Sequence, residues 1–529
     1  MKKTLLALAI LASFTVHAEE SQTVSEDQSD IERILVVGSK VTQVNPDPAT
    51  DRSFTEILDP SQPYTQGGYG GASFYTEPGT QSIHTLVFQS GIPGNDPGAG
   101  WYDFGPDLIT GQERVTIVNG PNSVRYGTGS LGGTVQVEPD LRTGVTVRGG
   151  DRHRYLSATL ADTIQVTHFD VNNGSVKTDN SETDQFTNTQ IRAQHHTDNW
   201  TWNASYTDYD YEYDGCFSVA TFAQTNDCVQ SGERGFVSAR SDRVTLGYTW
   251  TTSEYFSEDA LSWRSRAERI YADVNDEYQI AQAYVTLGVT AETESYVGER
   301  ENEISGYAIA ELGNFEVGTR VNSDTAVYRI GWQHGEWRAS AGTSYRNASI
   351  YEIHGDAWTL ANPDLNPEKG TGYEVGYGPV SVFHYEFSEG IDYNFTDAQF
   401  QNTGSYQTQG VRVQDHFAIR TALVTWGAGY TNSDQPRVAR WRGHATVMQP
   451  VAGWDLSGTV QVQHNRNTDI SGIQPDNIRT LSVSAARDLT PDLRTTLTVR
   501  DVLDREFEFT PGYRAGGREI LLTIQWRGK

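Results

Sequence analysis

A short stretch at residues 206–216, YTDYDYEYDGC, alternates acidic and aromatic side chains. The acidic set is Asp208, Asp210, Glu212 and Asp214, and the aromatic set is Tyr209, Tyr211 and Tyr213. Successive side chains of a β-strand point to opposite faces, whereas a helix would mix the two sets around its circumference. The spacing therefore predicts a strand with one carboxylate face and one tyrosine face.

The acidic set could bind a cation. Close carboxylates repel one another unless water or a cation screens them, and hard cations such as Ca²⁺ accept ligands that are all oxygen. The simpler interpretation is an acidic strand end in water, which requires no ligand. We therefore keep Ca²⁺ as the one candidate cofactor, alongside this alternative.

The N-terminus has the pattern of a secretory signal peptide. Lys2 and Lys3 precede a mostly apolar run from Leu5 to Val16, and Ala18 ends a small-residue cleavage site. The apolar run is too short to span a bilayer, and no later segment is long enough for a transmembrane helix. We predict that residues 1–18 are removed and that the mature protein is exported.

The two cysteines, Cys216 and Cys228, follow the acidic set closely. Export exposes them to oxidising conditions, so we predict a local disulfide. A zinc site would lack its companion His or Cys ligands at the usual spacing.

The composition excludes some functions and narrows the fold. The net charge of −28 argues against nucleic-acid binding, which requires a basic surface. The mean hydropathy of −0.54 fits a soluble exported protein, and it also fits a membrane β-barrel, in which only alternate strand residues face lipid. The aromatic fraction of 11% favours the barrel, because aromatic girdles mark both membrane interfaces.

From about residue 140 onward a period of two dominates the sequence. The stretch 519–527, for example, places Ile520, Leu522, Ile524 and Trp526 on one face. Tight turns at 198–199, 313–314, 334–335 and 490–492 contrast with longer connections at 214–234, 352–370 and 503–517. Short turns at one end and longer loops at the other are typical of outer-membrane barrels. In such a barrel, we expect the acidic set to face a wet lumen and the tyrosines to lie at the outer headgroup level.

The composition of residues 19–139 differs from that of the following residues, which predicts a separate domain. Residues 19–30 are polar and acidic, and the residues that follow alternate between short apolar runs and glycine-rich segments. The match of residues 127–132 to G-x-G-x-x-G runs straight into a predicted strand, which argues against a dinucleotide site because that motif should open a helix.

Five stretches, in order along the chain, resemble the TonB-dependent outer-membrane receptors. They are residues 34–38 (ILVVG), 84–104, 113–139 (ERVTIVNGPNSVRYGTGSLGGTVQVEP), 361–377 (ANPDLNPEKGTGYEVGY) and 499–526. The resemblance spans nearly the whole mature chain. It implies an all-β transmembrane barrel of 22 antiparallel strands with a small N-terminal α+β plug domain inside the lumen.

The resemblance also implies the domain boundaries and the working residues. We expect a periplasmic segment at 19–42, a plug at 43–139 and a barrel at 140–529. The TonB box would be Ile34, Leu35, Val36, Val37 and Gly38. The plug motif would be Gly120, Pro121, Tyr126, Gly127, Gly129, Gly132 and Gly133. The implied partner is TonB, energised by ExbB and ExbD.

The function implied is active transport of a scarce, large solute across the Gram-negative outer membrane. The solute would be a ferric siderophore or other metal chelate, or a corrinoid such as cobalamin, with haem and oligosaccharides as alternatives. The acidic chain favours neutral or cationic solutes over anionic ferric catecholates. Haem would need axial ligands, for which His84 and His354 are candidates.

Two other classes remain open from the residues alone. A passive porin would have neither a plug nor a coupling strand, and a surface adhesin would need a binding constellation in its loops. No Ser/His/Asp or metalloprotease motif occurs, so we do not expect an enzyme.

Overall fold

The structure is a computed structural model that describes residues 37–60, 65–174, 176–177, 183–356, 358–505, 507–515 and 517–528. The predicted signal peptide and Ile34, Leu35 and Val36 of the predicted TonB box lie outside these residues.

The N-terminal part forms a small mixed sheet with two short helices. Its strands are β1 (Val41–Val44), β2 (Thr85–Gln89), β3 (Ile92–Pro93), β4 (Glu113–Asn119) and β5 (Gly133–Pro139), and its helices are α1 (Phe54–Leu58) and α2 (Ser123–Tyr126). The strand order is β1-β4-β5-β2-β3, and only the β2–β5 pair is parallel. Side chains from the sheet and from α1 share one apolar core, which makes this part a folded domain within the lumen.

The remainder closes into a barrel of 22 antiparallel strands, in which the last strand pairs with the first. The strands are β6 (Gly144–Gly150), β7 (His153–Leu160), β8 (Ile164–Gly174), β9 (Asp184–His196), β10 (Thr201–Tyr213), β13 (Cys228–Arg240), β14 (Val244–Ser257), β15 (Ala260–Ile280), β16 (Ala283–Tyr296), β17 (Glu299–Leu312), β18 (Phe315–Val321), β19 (Ala326–His334), β20 (Trp337–Arg346), β21 (Glu368–Tyr377), β22 (Val380–Asn394), β23 (Gln399–Ile419), β24 (Ala422–Ser433), β25 (Ala439–Val451), β26 (Trp454–Arg466), β27 (Ile478–Thr490), β28 (Leu493–Arg500) and β29 (Glu519–Arg527). A hairpin of β11 (Cys216–Phe217) and β12 (Gln224–Thr225) lies in the loop after β10, and helix α3 (Ile350–His354) lies in the loop after β20.

The two-residue period of the sequence explains which side chains of the barrel strands face outward. Strand β29 exposes Ile520, Leu522 and Ile524, while Leu521 and Thr523 between them are fully buried. Apolar residues therefore cover the outside of the barrel, and the inside packs against the N-terminal domain, as the alternation predicted. No helix among the described residues is long and apolar enough to cross a membrane.

The two rims of the barrel differ. At one rim, pairs of strands join through short turns such as 281–282, 335–336 and 452–453. At the other rim lie the longer connections 214–227, 347–367 and 501–518. The four turn positions expected from the sequence all lie at the short-turn rim, which is the periplasmic one in outer-membrane barrels.

Candidate functional site

The alternating strand faces the opposite way from the expectation. Tyr209 and Tyr211 of β10 are each 6% exposed and point into the barrel, where they pack with Leu108 of the plug. Asp208 and Asp210 point outward and are exposed. The expectation of lumenal acids and outward tyrosines is therefore wrong. The plug fills the lumen at this level, so this inner face meets an apolar surface rather than water.

The four carboxylates do not converge. Asp208 and Asp210 remain on the outer face, whereas the chain turns after Tyr213 and buries Asp214, which accepts a hydrogen bond from the backbone N–H of Lys177. Within the described part of the chain, no group of three or more His, Cys, Asp or Glu side chains could hold a metal. The Ca²⁺ site stays a prediction. Solute affinity with and without calcium, and with Asp210→Asn, tests it.

The loop after β10 is closed by the expected disulfide between Cys216 and Cys228. Its β11–β12 hairpin contacts the next loop, because the hydroxyl of Ser218 donates to Glu258 over 2.7 Å. The bridge closes a short loop, for which chain entropy predicts roughly 3 kcal/mol of stabilisation.

Several aromatic side chains lie at the loop-side opening of the barrel, where the plug meets the wall. At the top of the plug, Trp101 is 40% exposed and contacts Phe74. The neighbouring wall contributes Tyr296, which lies against Gly98 of the plug, and helix α3 contributes Tyr351, which contacts the ring of Tyr296. We call these partly exposed rings beside the plug the vestibule; they offer aromatic surface to a large solute with apolar or aromatic groups.

The charged groups near this vestibule include carboxylates as well as the guanidinium groups of Arg346 and Arg269. His354 of α3 lies 2.9 Å from Glu301 and 3.5 Å from Glu299. Asp96, in the plug loop beneath Tyr296, accepts hydrogen bonds from two backbone amides, and desolvation raises the pKa of its carboxyl group. Where these carboxylates are ionised, they attract cationic solutes and repel highly anionic ones.

On one side, the plug is fixed to the wall by buried ion pairs. We call this side, strands β18–β23, the tied side. Arg412 of β23 bridges Glu77 of the plug and Glu374 of β21, with the second contact at 2.8 Å. All three side chains are buried.

His84 belongs to a second buried network on the tied side. Its ring contacts Glu368 of β21 over 3.0 Å and the hydroxyl of Tyr406 over 2.7 Å, and it stacks on Phe387. Arg346 also contacts Glu368 at 2.7 Å, and it contacts Glu352 of α3 at the same distance. His84 is 1% exposed, so it is unavailable as an axial haem ligand.

The predicted plug motif contacts the same wall. Gly127, with a φ of 88°, ends helix α2, and Gly129 donates its N–H to the carbonyl oxygen of Tyr345 in β20. Arg320 of β18 donates to the carbonyl oxygens of Val124 and Arg125 at the end of α2. The remaining members occupy the adjoining turn and strand: Gly120 and Pro121 precede α2, Tyr126 is its last residue, and Gly132 and Gly133 lead into β5. The structure therefore brings the motif together as a plug–wall contact.

The described end of the predicted TonB box lies against the periplasmic end of the wall. Arg329 of β19 forms a buried ion pair with Glu316 and donates to the carbonyl oxygen of Val37 over 2.8 Å. The N–H of Val37 donates to Glu316. Gly331 permits this approach, because a Cβ there would collide with the carbonyl oxygen of Val37.

Further around the lumen, a polar cavity of about 60 Å³ lies between plug and wall. We call this side, strands β9–β15, the cavity side. Arg234 pairs with Asp107 of the plug at 2.5 Å, and Arg192 pairs with Glu113. Both pairs line the cavity, and the Arg234–Asp107 pair is the more exposed of the two.

The comparisons with known proteins agree with this architecture. No family model matches the chain. The chain is 24% identical over 444 residues to the vitamin B12 transporter BtuB of Photobacterium profundum, and the match covers 71% of each protein. The siderophore receptor PirA of Acinetobacter baumannii superposes with a TM-score of 0.67 at 13% identity, covering 93% of this chain and 98% of that one. The ferric enterobactin receptor PfeA of Pseudomonas aeruginosa gives a TM-score of 0.70 at 13% identity, covering 92% and 99%.

The chain has the fold of the TonB-dependent outer-membrane receptors, a 22-stranded barrel closed around an N-terminal plug. As such, it is an integral outer-membrane β-barrel, and the apolar band on its wall faces lipid. The short-turn rim is periplasmic, and the aromatic vestibule opens to the outside.

Sequence reasoning missed the ion pairs that hold the plug. Arg412, Glu77 and Glu374 are far apart in the chain, and each looks like an ordinary charged residue in its strand. The signal that could have found them is a charged residue at an inward position of an otherwise alternating strand. Such a residue needs a partner, because a buried unpaired charge is costly.

Proposed function

We propose that this receptor transports a scarce, bulky solute inward across the outer membrane, powered from the periplasm. The observation that carries the proposal is the plug, which fills the barrel while its N-terminal end lies at the periplasmic rim. A lumen closed in this way cannot act as a passive porin for bulky solutes. A bound solute can then pass only after mechanical work has rearranged the plug.

The site of that work is the predicted TonB box, residues 34–38. An apolar extended segment can add as a strand to a partner's sheet. The partner we propose is TonB, energised by ExbB and ExbD. Pulling would first break the contacts of Val37 with Arg329 and Glu316 and would then load the plug.

For the solute we propose a corrinoid or a neutral to cationic metal chelate. The vestibule offers aromatic rings beside carboxylates, which suits a solute with apolar surface and little negative charge. The sequence relative is a vitamin B12 transporter, which agrees with this class. An anionic ferric catecholate is the competing solute, because the similar fold of PfeA binds enterobactin.

Uptake in a strain that lacks this gene tests the transport proposal. The probes are cyanocobalamin, a ferric trihydroxamate and a ferric tricatecholate. We expect uptake of the first or second with the intact gene, and loss of that uptake when residues 31–39 are deleted. Deletion of residues 21–29, which has the same length, serves as the control and should retain uptake. Unchanged uptake after the 31–39 deletion would refute energy coupling through this segment.

A vestibule variant tests the solute site separately. Trp101→Ala should weaken binding of the transported probe about tenfold, the equivalent of about 1.4 kcal/mol. Trp358→Ala is the matched control, because Trp358 is 77% exposed in the loop that contains α3. If the two variants bind the probe with equal affinity, Trp101 is not part of the solute-binding surface.

A further inference from the structure

The plug loop that carries Trp101 is ordered by its own hydrogen bonds. We call residues 93–101 the apical loop. The side chain of Asn95 fastens this loop to β2, because its Oδ1 accepts a hydrogen bond from the N–H of Val87 over 2.8 Å. The N–H of Asp96 donates to the carbonyl oxygen of Trp101 over 2.9 Å. The position of Trp101 is therefore tied directly to that of Asn95 and Asp96.

Arg269 of β15 holds the apical loop from the barrel wall. Its Nη1 donates to the carbonyl oxygens of Pro93 and Asn95, over 3.1 and 2.7 Å. Its Nε donates to Oε1 of Glu294 in β16 over 2.8 Å and lies 3.5 Å from Oε2 of Glu292. The Arg269 side chain is only 6% exposed. One buried guanidinium thus joins two adjacent wall strands to two main-chain carbonyls of the plug, and hydrogen bonds from a charged donor are the stronger kind.

Helix α3 supplies a second donor to the same loop. The N–H of Ile350, the first residue of α3, donates to the carbonyl oxygen of Pro97 over 3.1 Å. A capping box between Ser349 and Glu352 fixes the start of the helix, and Glu352 also pairs with Arg346 of β20 over 2.7 Å. Two elements outside the plug, β15 and α3, therefore hold the apical loop.

We propose that Arg269 and the N–H of Ile350 are positioning groups for solute recognition, which hold the apical loop so that Trp101 is presented to the solute. The inference rests on the proposed transport function and adds groups that set the affinity from outside the binding surface. Both groups bind main-chain carbonyls of the loop, so their effect on the solute passes through the ring of Trp101. A loop that is ordered before binding loses less conformational entropy on binding, which raises the affinity.

A double-mutant cycle with Trp101 tests this link. The measured quantity is the dissociation constant of purified receptor for cyanocobalamin or the ferric trihydroxamate, whichever probe is transported. Arg269→Met keeps an unbranched side chain without donors and should weaken binding by about threefold or more. In the Trp101→Ala background, the same change should weaken binding by less than about twofold, because effects that act through a shared partner are not additive. Equal losses in the two backgrounds would overturn the proposal.

Arg240→Met is the matched control for the loss of a wall arginine. Arg240 of β13 pairs with Glu138 of β5 over 2.8 Å, so it also joins the wall to the plug, but its partner lies outside the apical loop. The affinity of this variant should stay within about twofold in both backgrounds. A coupling to Trp101 as large as that of Arg269 would indicate general loosening of the plug and would overturn the proposal.

A second variant tests the α3 contact without removing a charge. Ile350→Pro deletes the N–H that donates to Pro97, and proline is favoured at the first position of a helix. Ser349 before it has a φ of −68° and a ψ of 161°, the extended conformation that a residue before proline adopts. The helix should therefore form, and the affinity should fall by about threefold with the same dependence on Trp101. Ile350→Val retains the N–H and should bind normally; equal affinities of the two variants would contradict the role of α3.

Spin-label mobility separates this inference from the transport function, because it requires no solute. Both cysteines of the chain form the disulfide, so a label at Ala99→Cys reports on the apical loop alone. Arg269→Met and Ile350→Pro should each increase the mobility of this label, whereas Arg240→Met should not. Unchanged mobility in the first two variants would overturn the positioning role. If no probe binds the intact receptor, the proposed solute class is wrong, and the label still decides whether these groups hold the loop.

Discussion

The two sides of the plug are held by the same kinds of residue in different surroundings. On the tied side, Arg412 and its two carboxylates are buried. On the cavity side, Arg234 and Asp107 line a polar cavity, and their side chains are 16% and 8% exposed. A charge that loses its partner is stranded in the first case and solvated in the second. We therefore expect the loss of a partner to cost more free energy around Arg412 than around Arg234.

The largest effect should come from Arg412→Ala. Removing the guanidinium leaves Glu77 and Glu374 buried and unpaired, which costs about 3–5 kcal/mol. Urea unfolding of the plug, followed by Trp fluorescence, measures the loss. The matched control is Arg264→Ala, which removes an exposed pair with Glu254 and should cost less than about 1 kcal/mol. Equal losses for the two variants would contradict the burial argument.

The second-largest effect should be a pH dependence of the plug's stability that arises from Asp103. Desolvation raises its pKa from 3.8 to about 6. The folded plug therefore binds this proton more tightly than the unfolded chain does. The stability it contributes is complete below about pH 4 and is lost as the pH rises through about 6.

Between about pH 4 and pH 7, the free energy of unfolding of the wild type should fall by up to about 3 kcal/mol relative to that of Asp103→Asn. The fall is smaller if the side chain keeps contact with water. The asparagine oxygen can still accept from the N–H groups of Ser73 and Gly105, so the variant is expected to fold. Urea titrations at pH 4 and pH 7 measure the difference. Parallel pH profiles of the two proteins would exclude Asp103 as the source.

A smaller effect should follow from Gly331→Ala. The new Cβ would meet the carbonyl oxygen of Val37, and the backbone there cannot yield as a flexible side chain would. Overpacking of this kind typically costs about 1–3 kcal/mol, which should release residues 37–39 from the wall. Spin labels at position 40 should become more mobile. Gly335→Ala, at an open turn position with a φ of 57°, controls for the loss of a glycine itself.

The smallest effect should be that of Arg234→Ala. Asp107 then keeps its hydrogen bond from the hydroxyl of Tyr102, over 2.8 Å, and can be hydrated by the cavity. We expect a loss of about 1–2 kcal/mol in the same urea assay, clearly below that of Arg412→Ala. A larger loss of stability for Arg234→Ala than for Arg412→Ala would contradict the difference proposed between the two sides.

Much of the fold follows from local patterns. The alternation in residues 519–527 predicts which side chains of β29 face lipid, because the pleat sorts neighbours to opposite faces. The short turns and the disulfide also follow from nearby residues. The orientation of β10 does not, since tyrosine and aspartate faces can each point inward, depending on what lies inside the barrel.

The sequence alone indicated the barrel and its short-turn rim, because strand periodicity and turn composition are local properties of the chain, and the resemblance of five stretches to known receptors implied the plug. Only the tertiary structure decided that Tyr209 and Tyr211 pack against the plug and that Arg412 joins Glu77 to Glu374. It also decided that the cavity lies beside Asn203. These contacts bring together residues that are far apart in sequence, and their free energies depend on burial and hydration, which no local pattern records.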